Sequence, residues 1–279
     1  PPPRRDTAAT PPPAASTRRR DAVATPPRRL DLCPQVLDAL AAAAAFPVLA
    51  TDVVAEVVDL LRLFDQRTKQ LVLFAGALHS SARLRTITAK HLGLAAQALG
   101  LVLALLPHIR AALRATLPPK HASLLDEVDA VARDYGDHHR KVLAKFSTII
   151  GETVDAAGGG LSGVDYDAAA TAAATVPRAA FFGDVAKNLT ALHGVLAKQL
   201  PDDEVQDVCA DIVALLGKKL PPLAAAPIAD TPEGRVRLEA DLRYLEASVA
   251  ALPSVDASGL RIDAIVAERK AGVSKGEPP

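Results

Sequence analysis

The chain has 279 residues, equal numbers of basic and acidic side chains (32 each), and 49% hydrophobic residues, yet only 3% aromatics and no Trp. A core of Ala, Leu and Val suits closely approaching helices and is a poor basis for a β-sandwich. The neutral balance is uneven: residues 1–30 hold Arg4, Arg5, Arg18, Arg19, Arg20, Arg28 and Arg29 against Asp6 and Asp21. The remainder is therefore mildly acidic, which argues against an extended nucleic-acid surface on it. Cys33 and Cys209 lie far apart and form neither a zinc signature nor a disulfide framework, so a reducing compartment is expected. With no Met and Pro at position 1, the sequence reads as a piece of a longer chain, and no stretch resembles a secretory signal.

Residues 1–30 are Pro, Arg, Ala and Thr with almost no large apolar side chain, and read as a disordered linker that cannot bury enough surface to offset its ordering entropy. From Asp52 the pattern changes. Val54, Val57, Val58, Leu61 and Phe64 share one helical face, with Thr51 or Asp52 as N-cap and continuation through Leu71, Leu73 and Leu78. A second helix is expected from about Thr86 to Leu117. Its run Leu92–Leu106 is shorter than the ~20 residues a membrane span needs and contains Gln97, so a buried central helix is predicted. Pro107 should kink it and Pro118-Pro119 should end it.

The third predicted helix, about Lys120 to Val154, has the cleanest period: Leu124, Val128, Val131, Tyr135, His138 and Val142, with Phe146 and Ile149 extending the stripe. Residues 156–176, with Gly158-Gly159-Gly160 and an Ala/Thr run, read as a flexible connection. They lack the Gly-Lys-Ser/Thr ending of a phosphate loop. Further helices are expected at about 177–200, 202–220, 231–252 and 258–271, and nothing reads as a strand. The organisation predicted is a disordered Pro/Arg/Ala-rich linker and Ala-rich lead-in (1–46), an N-terminal helical bundle (47–155), the connection (156–176), a C-terminal helical bundle (177–272) and a disordered tail (273–279). The fold class is all-α, an elongated bundle or rod of about six to seven amphipathic helices.

The densest polar cluster is Asp134-Tyr135-Gly136-Asp137-His138-His139. Asp134 and His138 stand one turn apart, and a metal would need a third ligand such as His121 or His193. The paired Glu-x-x-His pattern of bundle metal sites is absent. The reading that needs nothing further places His138 in the seam, bonded to a neighbour, with Asp137 and His139 in solvent. No Gly-x-Ser-x-Gly occurs, and Cys209 reads as a small core residue. His79, His91, His108 and His121 read as surface or capping residues. No cofactor, catalytic or metal residue is assigned.

A resemblance enters at the run from Val57 to Leu78, VVDLLRLFDQRTKQLVLFAGAL. It resembles the C-terminal domain of the vacuolar protein sorting-associated protein 54 family, whose helix carries DLLxLFxxRTxQLVLxAGAL. The residues that carry the match are Leu60, Leu61, Phe64, Arg67, Thr68, Gln70, Leu71, Val72, Ala75, Gly76 and Leu78. The next block, Thr86, Ile87, Thr88 and Lys90, is similar to the family's Thr-Ile-Thr-x-Lys, and Pro107, Ile109 and Arg110 to its Pro-x-Ile-Arg. Asp134, Tyr135 and His138 follow its Asp-Tyr-x-Asp-His, and His193 its Met-His landmark. The likeness covers roughly 48–220, and 221–270 loosely, while the Gly/Ala-rich stretch at 156–176 departs from it.

The resemblance implies a non-catalytic subunit of the Golgi-associated retrograde protein complex, a vesicle tether at the cytosolic face of the trans-Golgi network and endosomes. Its partners would be the other tether subunits, endosomal membrane or membrane-bound factors, and SNAREs, with no nucleic acid and no small-molecule substrate. The motif residues would then be structural. The alternatives are a peripheral membrane-binding module that uses the basic N-terminal segment, with Arg235, Arg237, Arg243 and Lys270 as candidate charged faces, and a metal-dependent enzyme centred on Asp134, His138 and His139.

Overall fold

A computed structural model describes residues 32–72, 88–167 and 179–273. Eight α-helices are found among them: α1 Leu32–Ala45, α2 Ala50–Val72, α3 Ala89–Thr116, α4 Leu125–Leu161, α5 Ala180–Leu196, α6 Asp202–Ala225, α7 Pro232–Ala250 and α8 Ile262–Val273. Short 3-10 turns cover Pro47–Leu49, Pro119–Leu124 and Ala257–Leu260. The described residues hold no strand beyond one isolated bridge between Asp165 and Ile228. The all-α class expected from the Leu/Ala composition is what forms.

Sequence boundaries shift in three places. The Ala-rich lead-in, to which no helix was assigned, forms α1: Leu32, Val36 and Ala43 recur at helical spacing and are buried, so the count rises from six or seven helices to eight. The third predicted helix starts at Leu125 after a 3-10 turn and runs on to Leu161, past the expected end at Val154. The predicted helix 202–220, observed as α6, passes through Pro221-Pro222 to Ala225.

α4 is the organising element. Its 37 residues give a length of about 55 Å. α2 and α3 pack on it, as do α5 and α6. The predicted stripe is buried at Val128, Val131, Tyr135, His138, Val142 and Phe146; Leu125 and Ile150 take the inner positions in place of Leu124 and Ile149, which are half-buried. α3 is long and apolar enough to cross a membrane, but it packs against α1, α2, α4 and α5 and buries Leu92, Leu99, Leu106 and Leu113.

The second half of the molecule is tied together by close approach and by buried carboxylates. A Cβ on Gly217 of α6 would stand 2.1 Å from the Gly259 carbonyl oxygen, so only glycine lets the 257–260 turn sit on α6. Asp241 of α7 accepts hydrogen bonds from the Tyr166 hydroxyl at 2.8 Å and from the Ala179 N–H at 3.0 Å. Burial, then this bond to Asp241, pushes the Tyr166 phenol well above its ordinary pKa. Asp167 accepts from Asp230 N–H, Thr231 N–H and the Thr231 hydroxyl, and the Thr231 hydroxyl in turn caps α7 by accepting from Gly234 N–H.

Candidate functional site at the joint of α2 and α4

The two motif blocks singled out in the sequence meet inside the bundle. On α4, Tyr135 and His138 stand three residues apart and face α2; on α2, Leu61 and Asp65 stand four apart and face α4. The Tyr135 hydroxyl donates to the Leu61 carbonyl oxygen at 2.7 Å. His138 Nδ1–H donates to Asp65 Oδ1 at 2.7 Å, and Lys69, one turn further along α2, pairs with Asp65 Oδ2. Tyr135 and His138 are fully enclosed, and Asp65 is buried.

The electrostatics follow from this geometry. Burial alone would raise the Asp65 carboxyl; hydrogen bonds from His138 and Lys69, with their charges, outweigh it and hold the group below its ordinary pKa. Burial lifts the Tyr135 phenol well above its ordinary value, with the Asp65 charge adding to the effect. His138 Nε2 is buried without a hydrogen-bond partner. The joint is thus an imidazole held to a carboxylate by its Nδ1 side, with its other nitrogen enclosed among apolar neighbours.

His139 departs from the sequence expectation. It is buried, not in solvent, because α6 approaches α4 there: its Nε2 lies 3.5 Å from Glu204 Oε2 and beside Gly100 of α3. Burial raises the Glu204 carboxyl, with Asp203 and Asp207 adding to the rise and the His139 charge opposing it. Asp137 is exposed and pairs with Arg140. Asp134 is exposed while His138 is enclosed, so the one-turn spacing does not bring them to a common point. Among the described residues, no group of three or more His, Cys, Asp or Glu is placed to hold a metal ion.

The other motif residues divide by position. Leu61 and Val72 are buried; Leu60, Phe64, Thr68 and Gln70 are half-buried, with the Thr68 hydroxyl bonded to the Phe64 carbonyl. Arg67 and Leu71 face outward. Ala75, Gly76, Leu78, Thr86 and Ile87 lie outside the described residues. Thr88 is the N-cap of α3, where its N–H donates to His91 Nδ1 at 3.3 Å, and Lys90 is exposed. Pro107 is accommodated within α3, Ile109 is half-buried, and Arg110 makes a bidentate pair with Asp129 at 2.7 and 3.0 Å. His193 is buried against the Pro253 carbonyl at 3.1 Å, and Cys209 is a core residue, as its place on the α6 stripe predicted.

Three of the four cations offered as charged faces are engaged within the chain. Arg243 pairs with Glu239, Glu246 and Asp263, Lys270 with Glu239, and Arg237 donates to the Tyr166 carbonyl. Asp65, which completes the joint, is not among the residues the sequence singled out. Its signal was present, since it continues the Val54, Val58, Leu61 face by one turn.

Two apolar features remain at this end of the bundle. A cavity of about 320 Å³ lies between α1, α2 and α3, lined mainly by Leu32, Val36, Leu40, Leu61, Val102 and Ile109. The α1–α2 turn presents Phe46, Val48 and Leu49 to solvent, Val48 at 85% exposure.

The fold and joint define a class: an all-α bundle whose second and fourth helices are joined by buried hydrogen bonds from motif residues. Residues 25–153, which take in α1 to α3 and most of α4, match the family model described as Vps54-like protein. This part of the chain is similar to that family, the one its motif residues resemble. Vacuolar protein sorting-associated protein 54 of Homo sapiens is 36% identical over 160 residues, 57% of this chain and 15% of that protein. The Drosophila melanogaster protein of that name is 32% identical over 162 residues, 58% of this chain and 15% of the relative. Vacuolar protein sorting-associated protein 54, chloroplastic, of Arabidopsis thaliana is 28% identical over 215 residues, 77% of this chain and 21% of the relative. The chain thus spans about 15% of the length of the human and fly relatives it matches. No solved structure matches it.

Proposed function

We propose that this chain is a non-catalytic helical module of a vesicle-tethering subunit, acting in retrograde transport from endosomes to the trans-Golgi network through protein and membrane contacts. The observation that carries the reading is the joint itself. The two blocks that resemble the vacuolar protein sorting-associated protein 54 family interlock through Tyr135–Leu61 and His138–Asp65, inside the stretch that matches the Vps54-like model. Their residues hold helices in register, and the work of the module falls to its surface. Linked weak contacts of this kind gain strength from their number.

On this reading the partners are the other tether subunits, endosomal membrane or factors bound to it, and SNAREs, met at the cytosolic face of the trans-Golgi network and endosomes. Affinity purification of the tagged full-length protein from its own cells, followed by mass spectrometry, tests it. Recovery of the other subunits of the Golgi-associated retrograde complex is the expected result; their absence sinks the tether assignment.

A further inference from the structure

The outer side of α2 carries motif residues that the fold leaves unused. Asp59, Leu63, Arg67 and Leu71 follow one another at intervals of four, the ridge along which helices of the commonest packing class interdigitate. Leu63 is 37% exposed and Leu71 41%. Asp59 and Arg67 are exposed too, and neither has an ion-pair or hydrogen-bond partner among the described residues. The neighbouring cations differ: Arg62 pairs with Glu127 and Lys69 with Asp65. Of the residues that carry the family resemblance on this helix, Leu61 and Val72 serve the core, while Arg67 and Leu71 serve nothing within the described chain.

The arrangement is its own complement. Asp59 lies four residues before Leu63 and Arg67 four residues after it. In an antiparallel pair of α2 helices centred on Leu63, a residue n before the centre meets a residue n after it on the other copy. Asp59 then meets Arg67 of the second copy, Arg67 meets Asp59 of the second copy, and the two Leu63 side chains pack at the two-fold axis. Glu56 falls opposite the uncharged Gln70, and Leu71 opposite Ala55, so no like charges meet.

We propose that this ridge is a self-association surface, occupied by α2 of a second copy of the chain. The charge pattern selects that occupant, because an unrelated partner places no symmetry requirement on the two flanking charges. The inference stands independently of the tether reading. One helix face covers less than the roughly 1,200 Å² of standard stable complexes, so the dimer forms only at high protein concentration.

Sedimentation equilibrium of the whole 279-residue chain, from low to high micromolar, provides the test, alongside Arg67→Asp, Asp59→Arg and the double reversal. The wild type is expected to move toward dimer mass. Each single reversal, which sets like charges opposite each other, should weaken association by roughly tenfold or more, and the double reversal should restore it. At concentrations where the wild type is monomeric, thermal midpoints should be unchanged, since both positions are exposed. A monomer at every concentration overturns the proposal, as does a double reversal that stays monomeric. A clear fall in the thermal midpoint of Arg67→Asp at a concentration where the wild type is monomeric also overturns it, because Arg67 would then have a partner within its own chain.

Discussion

A buried carboxylate without partners is expensive, and Asp65 is tolerated because His138 and Lys69 both bind it. Replacing His138 by Ala removes an enclosed ring and leaves Asp65 with Lys69 alone. The expected loss is about 3 kcal/mol, read as a shift of the urea midpoint. Tyr135→Phe deletes one hydroxyl bond and should cost about 1 kcal/mol by the same measurement. The pH dependence has a definite sign. The Asp65 pKa is lowered on folding, so its contribution is complete above the unfolded value of about 3.9 and is lost as pH falls through the folded value. Asp65→Asn should therefore flatten the acid limb of the stability profile below about pH 4 while lowering the neutral plateau. His138 was legible in the sequence because apolar neighbours flank it at intervals of three and four. His139 was not, since its burial depends on where α6 arrives, which no local spacing encodes.

The elements are specified mostly by period, and their exceptions by contact. Alternating steps of three and four predicted α4 well. α1 was passed over because its small alanines give no strong polar face against which an apolar one stands out, even though Leu32, Val36 and Ala43 keep helical spacing. α6 depends on one glycine. Gly217→Ala would press a methyl group into the Gly259 backbone, which cannot swing away as a side chain can. We expect a loss of about 2–3 kcal/mol, or roughly 5–10 °C in Tm by calorimetry. Nothing in the sequence around position 217 marks it, because the crowding partner lies 42 residues further on.

Across the whole molecule, stability should be graded outward from α4. α1 buries Leu32, Val36 and Ala43 along 14 residues and lies over the 320 Å³ cavity, whereas α4 is packed by four helices. Hydrogen exchange should find α1 amides opening at least ~100-fold faster than those at the centre of α4. Equal protection of the two would contradict this order. A different consequence follows from Asp241. Its carboxylate grips Tyr166 and Ala179, one on each side of residues 168–178, and so fixes the distance across that stretch from outside it. One side chain therefore rivets two separate stretches of backbone: Asp241→Ala should free Tyr166 and Ala179 together and lower the melting temperature.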